Sequence, residues 1–133
     1  MLGVSTAYWL ARAGASVALI EAGALAEGAT GRNGGFMVAG TANPYPQAIA
    51  QHGHMTAHAV WSLTLENRAL LRQILAEESI DCDYREPGLL HLALGAEGQA
   101  RLAQTVAALH ADAFAAEALT TPITWDAVLD RAR

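Results

Sequence analysis

The sequence predicts an α/β chain: an incomplete doubly wound, Rossmann-like domain that lacks its first strand, followed by the start of a second sheet and further helices. Three observations predict it. "MLGVSTAYWLARAG" has helical spacing and a glycine stop; "SVALI" is a short apolar run closed by Glu21; and "CDYREPGLLHLAL" alternates with period two after a Pro-Gly pair.

The first element is a helix over Gly3 to Ala13, rich in good helix formers, with Leu2, Ala7, Leu10 and Ala11 forming one apolar face. Gly14 stops it, as glycine does where the chain needs a left-handed residue. Ser16 to Ile20, bounded by Gly14 and Gly23, then reads as a strand buried on both faces of a parallel sheet. Glu21 stands at the carboxyl end of that strand. A carboxylate there can accept hydrogen bonds from an adenosine ribose 2′-hydroxyl and would repel a 2′-phosphate. Gly3 lies eighteen residues before Glu21, the place of the third glycine in a G-x-G-x-x-G dinucleotide fingerprint. The first two glycines and the strand before them would lie upstream of Met1.

From Ala22 to Gly40 the residues are small and glycine-rich, and an extended loop is expected, with one short helical turn near Leu25. Its centre, "GATGRNGG" from Gly28 to Gly35, lets successive amide N–H groups converge on an anion. Arg32 adds a charge, and Thr30 and Asn33 add polar groups. Asn43-Pro44-Tyr45-Pro46 is expected to stay irregular, because each proline disfavours the helical region for its predecessor. A long helix follows from about Met55 to Glu78, with Val60, Leu63, Leu70, Leu71, Ile74 and Leu75 as its apolar stripe. Pro87-Gly88 suits the middle of a type II turn, and Leu90, Leu92 and Leu94 alternate as in a half-exposed strand. A second helix is expected from about Glu97 to Leu119, and a new one capped near Thr124.

Composition narrows the function classes. A chain of 133 residues with 53% hydrophobic residues fits a globular domain rather than a disordered one. With net charge −5 and no basic cluster, no nucleic-acid partner is expected. A lone cysteine, Cys82, excludes an internal disulfide framework and agrees with a reducing, cytoplasmic location. No integral membrane segment is expected, because Arg12, Gly14 and Glu21 divide the apolar N-terminus into pieces too short to span a bilayer. His54 and His58 share a helical face with His52 just before it, but no carboxylate or cysteine completes a ligand set, so no metal is assigned. No nucleophile–base pair stands out, and no catalytic residue is named.

The order helix, Gly14, strand, Glu21-Ala22-Gly23, then "EGATGRNGGF", resembles the N-terminal FAD-binding region of the D-amino-acid oxidase superfamily. It is most similar to the bacterial branch that includes gamma-glutamylputrescine, glycine and sarcosine oxidases. The likeness is specific from Gly3 to about Phe36, extends through the long helix and the "EPGLLHLAL" hairpin, and is poor beyond about Leu94. The resemblance implies FAD as cofactor and oxidation of a carbon–nitrogen bond to an imine, with a small amine or amino acid as substrate of the complete parent. It implies that residues 1–50 are a partial FAD-binding βαβ region and that 51–133 lead into a substrate domain that is not completed. By position, Gly3 would be the helix-entry glycine near the pyrophosphate, and Glu21, with Ala22 beside it, would hold the adenosine ribose. Thr30, Gly31, Arg32, Asn33, Gly34 and Gly35 would follow the pyrophosphate and flavin side.

Two fingerprint glycines, the first strand and the later substrate-binding part of such enzymes are absent from this sequence. The chain alone is therefore expected to bind FAD weakly or not at all and to be inactive. Two alternatives follow: a non-catalytic remnant or split-protein fragment that joins a complementary chain or a homo-oligomer, or a NAD-type dinucleotide-binding module.

Overall fold

A computed structural model describes residues 1–115, which carry four α-helices and one 3-10 turn. The helices are α1 (Leu2–Arg12), α2 (Tyr45–His52), α3 (His54–Glu77) and α4 (Gly95–Ala111), with the 3-10 turn at Ala29–Gly31. The chain divides into two units, Met1–Met37 and Val38–Arg133.

The expected sheet is not there: among the described residues no segment is a strand, and the α/β reading is corrected to a helical one. Ser16–Ile20 has no regular secondary structure and is exposed, with Ile20 89% accessible. The physical reason is that a strand is defined by its neighbours. Its N–H and C=O groups need a ladder, and no other segment of the Met1–Met37 unit supplies one. The same correction applies to the hairpin around Pro87-Gly88. Gly88 takes a φ of +80°, but among the described residues Leu89–Leu94 has no strand partner, and Leu89, Leu92 and Leu94 are exposed.

Within Met1–Met37, α1 forms over the expected residues and ends at Ala13–Gly14, where the N–H groups of Ala13, Gly14 and Ala15 close the last turn on Trp9, Ala11 and Leu10 carbonyls. Arg12 donates to the Tyr8 hydroxyl at 2.7 Å and lies over the Tyr8 and Trp9 rings, one turn back on the same face. No residue of this unit is buried.

The second unit holds the core. The Pro44–Pro46 stretch does not stay irregular but opens α2, with Pro44 as N-cap and Pro46 in the first turn. Proline is tolerated there because first-turn N–H groups have no helical acceptor to lose. Gly53, at φ +81°, separates α2 from α3, and the small Ala48 and Ala57 let the two helices approach and bury both residues. Tyr45, 1% exposed, is the centre of the cluster. Its ring meets Trp61 and Phe114 edge-on at 5.2 and 5.9 Å. Leu109 closes the cluster from α4. A cavity of about 250 Å³ lies beside Tyr45, Ala48, Ala57 and Trp61.

α4 begins near the expected place but ends at Ala111, earlier than the sequence suggests. Ala113 turns left-handed at φ +64°, and the Phe114 N–H bonds back to the Leu109 carbonyl, which swings Phe114 onto the Tyr45 cluster. The helix expected near Thr124 lies outside the described residues. Along α3, Arg72 donates to Glu86 at 3.1 Å and the Tyr84 hydroxyl to the same carboxylate at 2.8 Å, fastening the 84–86 segment to the helix. No described helix is long and apolar enough to cross a membrane.

Asp112 joins α4 to α2 and α3: it accepts the Tyr45 hydroxyl at 2.5 Å and contacts His54 Nε2 at 2.8 Å. The Tyr45 hydrogen bond, opposed by partial burial and helped by His54, holds the Asp112 carboxyl below the usual carboxylate range. Burial, then the bond to Asp112, pushes the Tyr45 phenol above its ordinary value of 10.0. A lowered acid stabilises the fold above its unfolded pKa and loses that contribution as pH falls through the folded one. A raised phenol contributes fully below pH 10 and loses its contribution as pH rises beyond that value. The stability difference between wild type and Tyr45→Phe is therefore expected to be level from neutral pH to about 10 and to shrink above it and in acid. Melting temperatures measured against pH check this; a difference that stays constant into strong alkali would contradict it.

Candidate functional site

The cofactor-site residues expected from the sequence lie in the Met1–Met37 unit, and three of their segments meet there. The first turn of α1 packs on the 16–20 segment through Gly3, where a Cβ would stand 3.4 Å from Leu19 Cδ1. The Met1 amino group donates to Thr30 Oγ1 at 3.0 Å, which brings the 3-10 turn to the N-terminal end of α1. A helix N-terminus with unpaired amides beside an amide-rich loop is a suitable environment for an anion.

Glu21 lies two residues beyond Leu19 and is exposed; its Oε1 accepts the Gly23 N–H at 3.1 Å, and Ala22 is carried in that small turn. One backbone bond fixes the carboxylate, and among the described residues its second oxygen has no protein donor. That is the arrangement a ribose hydroxyl could complete.

The glycine-rich loop is shaped from within. Asn33 Nδ2 donates to the Ala29 carbonyl at 3.3 Å and its Oδ1 accepts the Gly35 N–H at 2.8 Å. Asn33 therefore holds the loop's curvature, with its side chain engaged by the loop's own backbone. Gly31 permits a close approach, since a Cβ there would collide with the Ala26 carbonyl oxygen, and one at Gly34 would press on the Phe36 ring at 2.7 Å. Arg32 is exposed, and among the described residues its guanidinium has no protein acceptor. The chemistry at this end suits a diphosphate and a ribose: an exposed guanidinium, an amide-rich loop and a helix N-terminus to donate, and an exposed carboxylate to accept.

Sequence reasoning missed Glu27. Its Oε2 accepts the Ala24 N–H at 3.2 Å, and its own N–H donates to the Ala24 carbonyl at 3.2 Å. The signal was present as Ala24-x-x-Glu27, the spacing of a capping box whose first residue lacks a hydroxyl.

The histidines are held elsewhere. His54 sits on Asp112, and His58 lies over Phe114 with ring centres 5.0 Å apart. Among the described residues no group of three or more His, Cys, Asp or Glu side chains is gathered as a metal site. Cys82 is exposed.

Comparison with known families gives the class. The family described as "DAO: FAD dependent oxidoreductase" matches residues 1–131, and the chain belongs to it. Two curated proteins are similar. Gamma-glutamylputrescine oxidoreductase of Escherichia coli (strain K12) is 37% identical over 87 residues, covering 65% of this chain and 20% of the relative. The probable oxidoreductase OrdL of Haemophilus influenzae is 34% identical over 92 residues, covering 69% of this chain and 21% of the relative. The match thus spans about a fifth of the length of each. No solved structure matches significantly.

Proposed function

We propose that Met1–Met37 binds the ADP half of FAD and that the chain serves an oxidoreductase acting on the carbon–nitrogen bond of a small amine or amino acid. The observation that carries the reading is the meeting of the Gly3 end of α1, the Glu21 segment and the Thr30–Gly35 loop within one unit. Family membership supports FAD as the nucleotide, and the name of the Escherichia coli relative supports an amine as substrate class.

In this reading Glu21 accepts from the adenosine ribose, and the charge of its carboxylate opposes a 2′-phosphate. Arg32 and the amides of the Gly31–Gly35 stretch face the pyrophosphate, with Gly3 allowing it close to the start of α1. The flavin, when bound, supplies the two-electron oxidation of the carbon–nitrogen bond to an imine. The chain's own part is binding and orientation. Because none of the unit's residues is buried, it is little preorganised, and the affinity for the free nucleotide is expected to be weak.

Weak binding is best read by ¹⁵N NMR of the whole chain titrated with ADP. Shifts are expected at Gly3, Glu21–Gly23 and Thr30–Gly35, and not in α2, α3 or α4. Adenosine 2′,5′-bisphosphate should produce much smaller ones. Glu21→Ala is expected to weaken ADP binding roughly tenfold, the cost of one hydrogen bond to a charged group. Equal affinity in that variant would remove Glu21 from the site, and an ADP footprint confined to α2–α4 would overturn the reading.

A further inference from the structure

We propose that Glu27, which lies outside the set of residues that face the nucleotide, is a positioning residue for the adenosine end of the site; this rests on the reading of Met1–Met37 as the holder of ADP. Two carboxylates govern two successive amides. Glu21 Oε1 takes the Gly23 N–H and Glu27 Oε2 takes the Ala24 N–H, at 3.1 and 3.2 Å. The Glu27 carboxylate also covers Gly23 closely, since a Cβ at Gly23 would stand 3.3 Å from Glu27 Oε2.

The turn that Glu27 closes is under strain. Ala26, inside it, has a φ of +61°, a left-handed conformation that an alanine adopts only when its surroundings enforce it. The enforcing bonds are the two between Ala24 and Glu27, one through backbone and one through the side chain. In a full capping box the first residue's hydroxyl would contribute a further bond, but Ala24 has none to offer, so the side-chain half rests on Glu27 alone.

The strained residue is also the one that touches the rest of the site. The Ala26 carbonyl oxygen lies against Gly31, so closely that no Cβ fits between them. Gly31 ends the 3-10 turn that carries Thr30, whose hydroxyl accepts from the Met1 amino group. Glu27 therefore fixes Ala26, Ala26 supports Gly31, and the ribose carboxylate and the phosphate loop are held at one spacing. The part Glu27 plays is that of an acceptor, so glutamine should replace it and alanine should not.

The test uses the whole chain, ¹⁵N NMR and ADP. In wild type the Ala24 amide proton is expected downfield, as a hydrogen-bonded amide is, to stay there in Glu27→Gln and to move upfield in Glu27→Ala. Glu27→Ala should weaken ADP binding about fivefold, as loss of a cap does, while Glu27→Gln stays within about twofold of wild type. Both variants should leave the α2–α4 melting transition where it is. An Ala24 amide proton unmoved in Glu27→Ala, or ADP binding by Glu27→Ala equal to that of wild type, would overturn the role of Glu27 and leave the site standing. Absence of ADP binding by wild type at millimolar concentration would instead remove the site, and the proposal with it.

Discussion

Replacing Tyr45 with alanine is expected to destabilise the Val38–Ala115 region by about 3–5 kcal/mol, the range for deleting a large buried ring. Tyr45 is the largest fully buried side chain among the described residues, and the buried cluster around it holds only Ala48, Ala57 and Leu109 besides. Removing the ring strips Trp61 and Phe114 of their common edge-to-face partner and joins the lost volume to the cavity of about 250 Å³ beside it. It also removes a hydroxyl from Asp112, which among the described residues then keeps His54 as its side-chain hydrogen-bond partner. Against a total stability of about 5–15 kcal/mol for a domain, that loss takes a large share. The melting temperature followed by helical circular dichroism should fall by about 12 °C or more. Tyr45→Phe, which keeps the ring and loses the hydroxyl, should lose much less. A Tyr45→Ala variant melting within about 3 °C of wild type would show that the aromatic cluster does not hold the helices together.

What could be read from the sequence, and what could not, divides along a physical line. α1 and α3 were legible because a helix satisfies its backbone within its own segment, so its spacing of apolar residues carries the information. The Ser16–Ile20 run and Leu89–Leu94 carry the composition of strands, but strand formation depends on a partner elsewhere, and local pattern contains no such term. α2 was hidden by a rule applied in the wrong place. Pro44 and Pro46 argue against helix for what precedes them, yet both fall where a helix begins and are compatible with its start.

The site shows the same division. Gly3, Glu21 and the Thr30–Gly35 loop could be marked as candidates by residue type and spacing. Whether a loop side chain faces a ligand or its own backbone was not readable, and Asn33 shows the second case. Glu27 went unmarked because its bond to Ala24 is a capping interaction in a turn whose first residue offers no polar signal. Family membership extends over 1–131, far beyond the stretch where those motifs lie.

The second large effect is expected at Gly31, and it separates the loop's shape from its charge. A valine there must place its Cβ where the Ala26 carbonyl oxygen already is, and that oxygen is backbone in a strained turn, which cannot rotate aside as a side chain would. Relief requires the Ala24–Glu27 turn to open or the 3-10 turn to move off it. Either movement separates Glu21 from Thr30 and from the amides beyond it. Gly31→Val is therefore expected to lower ADP affinity by more than about tenfold, through geometry alone, since a misplaced contact of about 1 Å is enough to cost that much. Arg32→Gln removes a charge without touching the turn, so its loss should be smaller at high salt than at low salt, where screening of an exposed guanidinium is weaker. The Gly31→Val loss should be the same at both. ADP titrations of the two variants at low and high ionic strength make the comparison. A Gly31→Val chain that binds as wild type does would mean that the approach of Ala26 to Gly31 is not what sets the loop, and a salt-dependent loss in that variant would mean that charge, rather than spacing, had been disturbed.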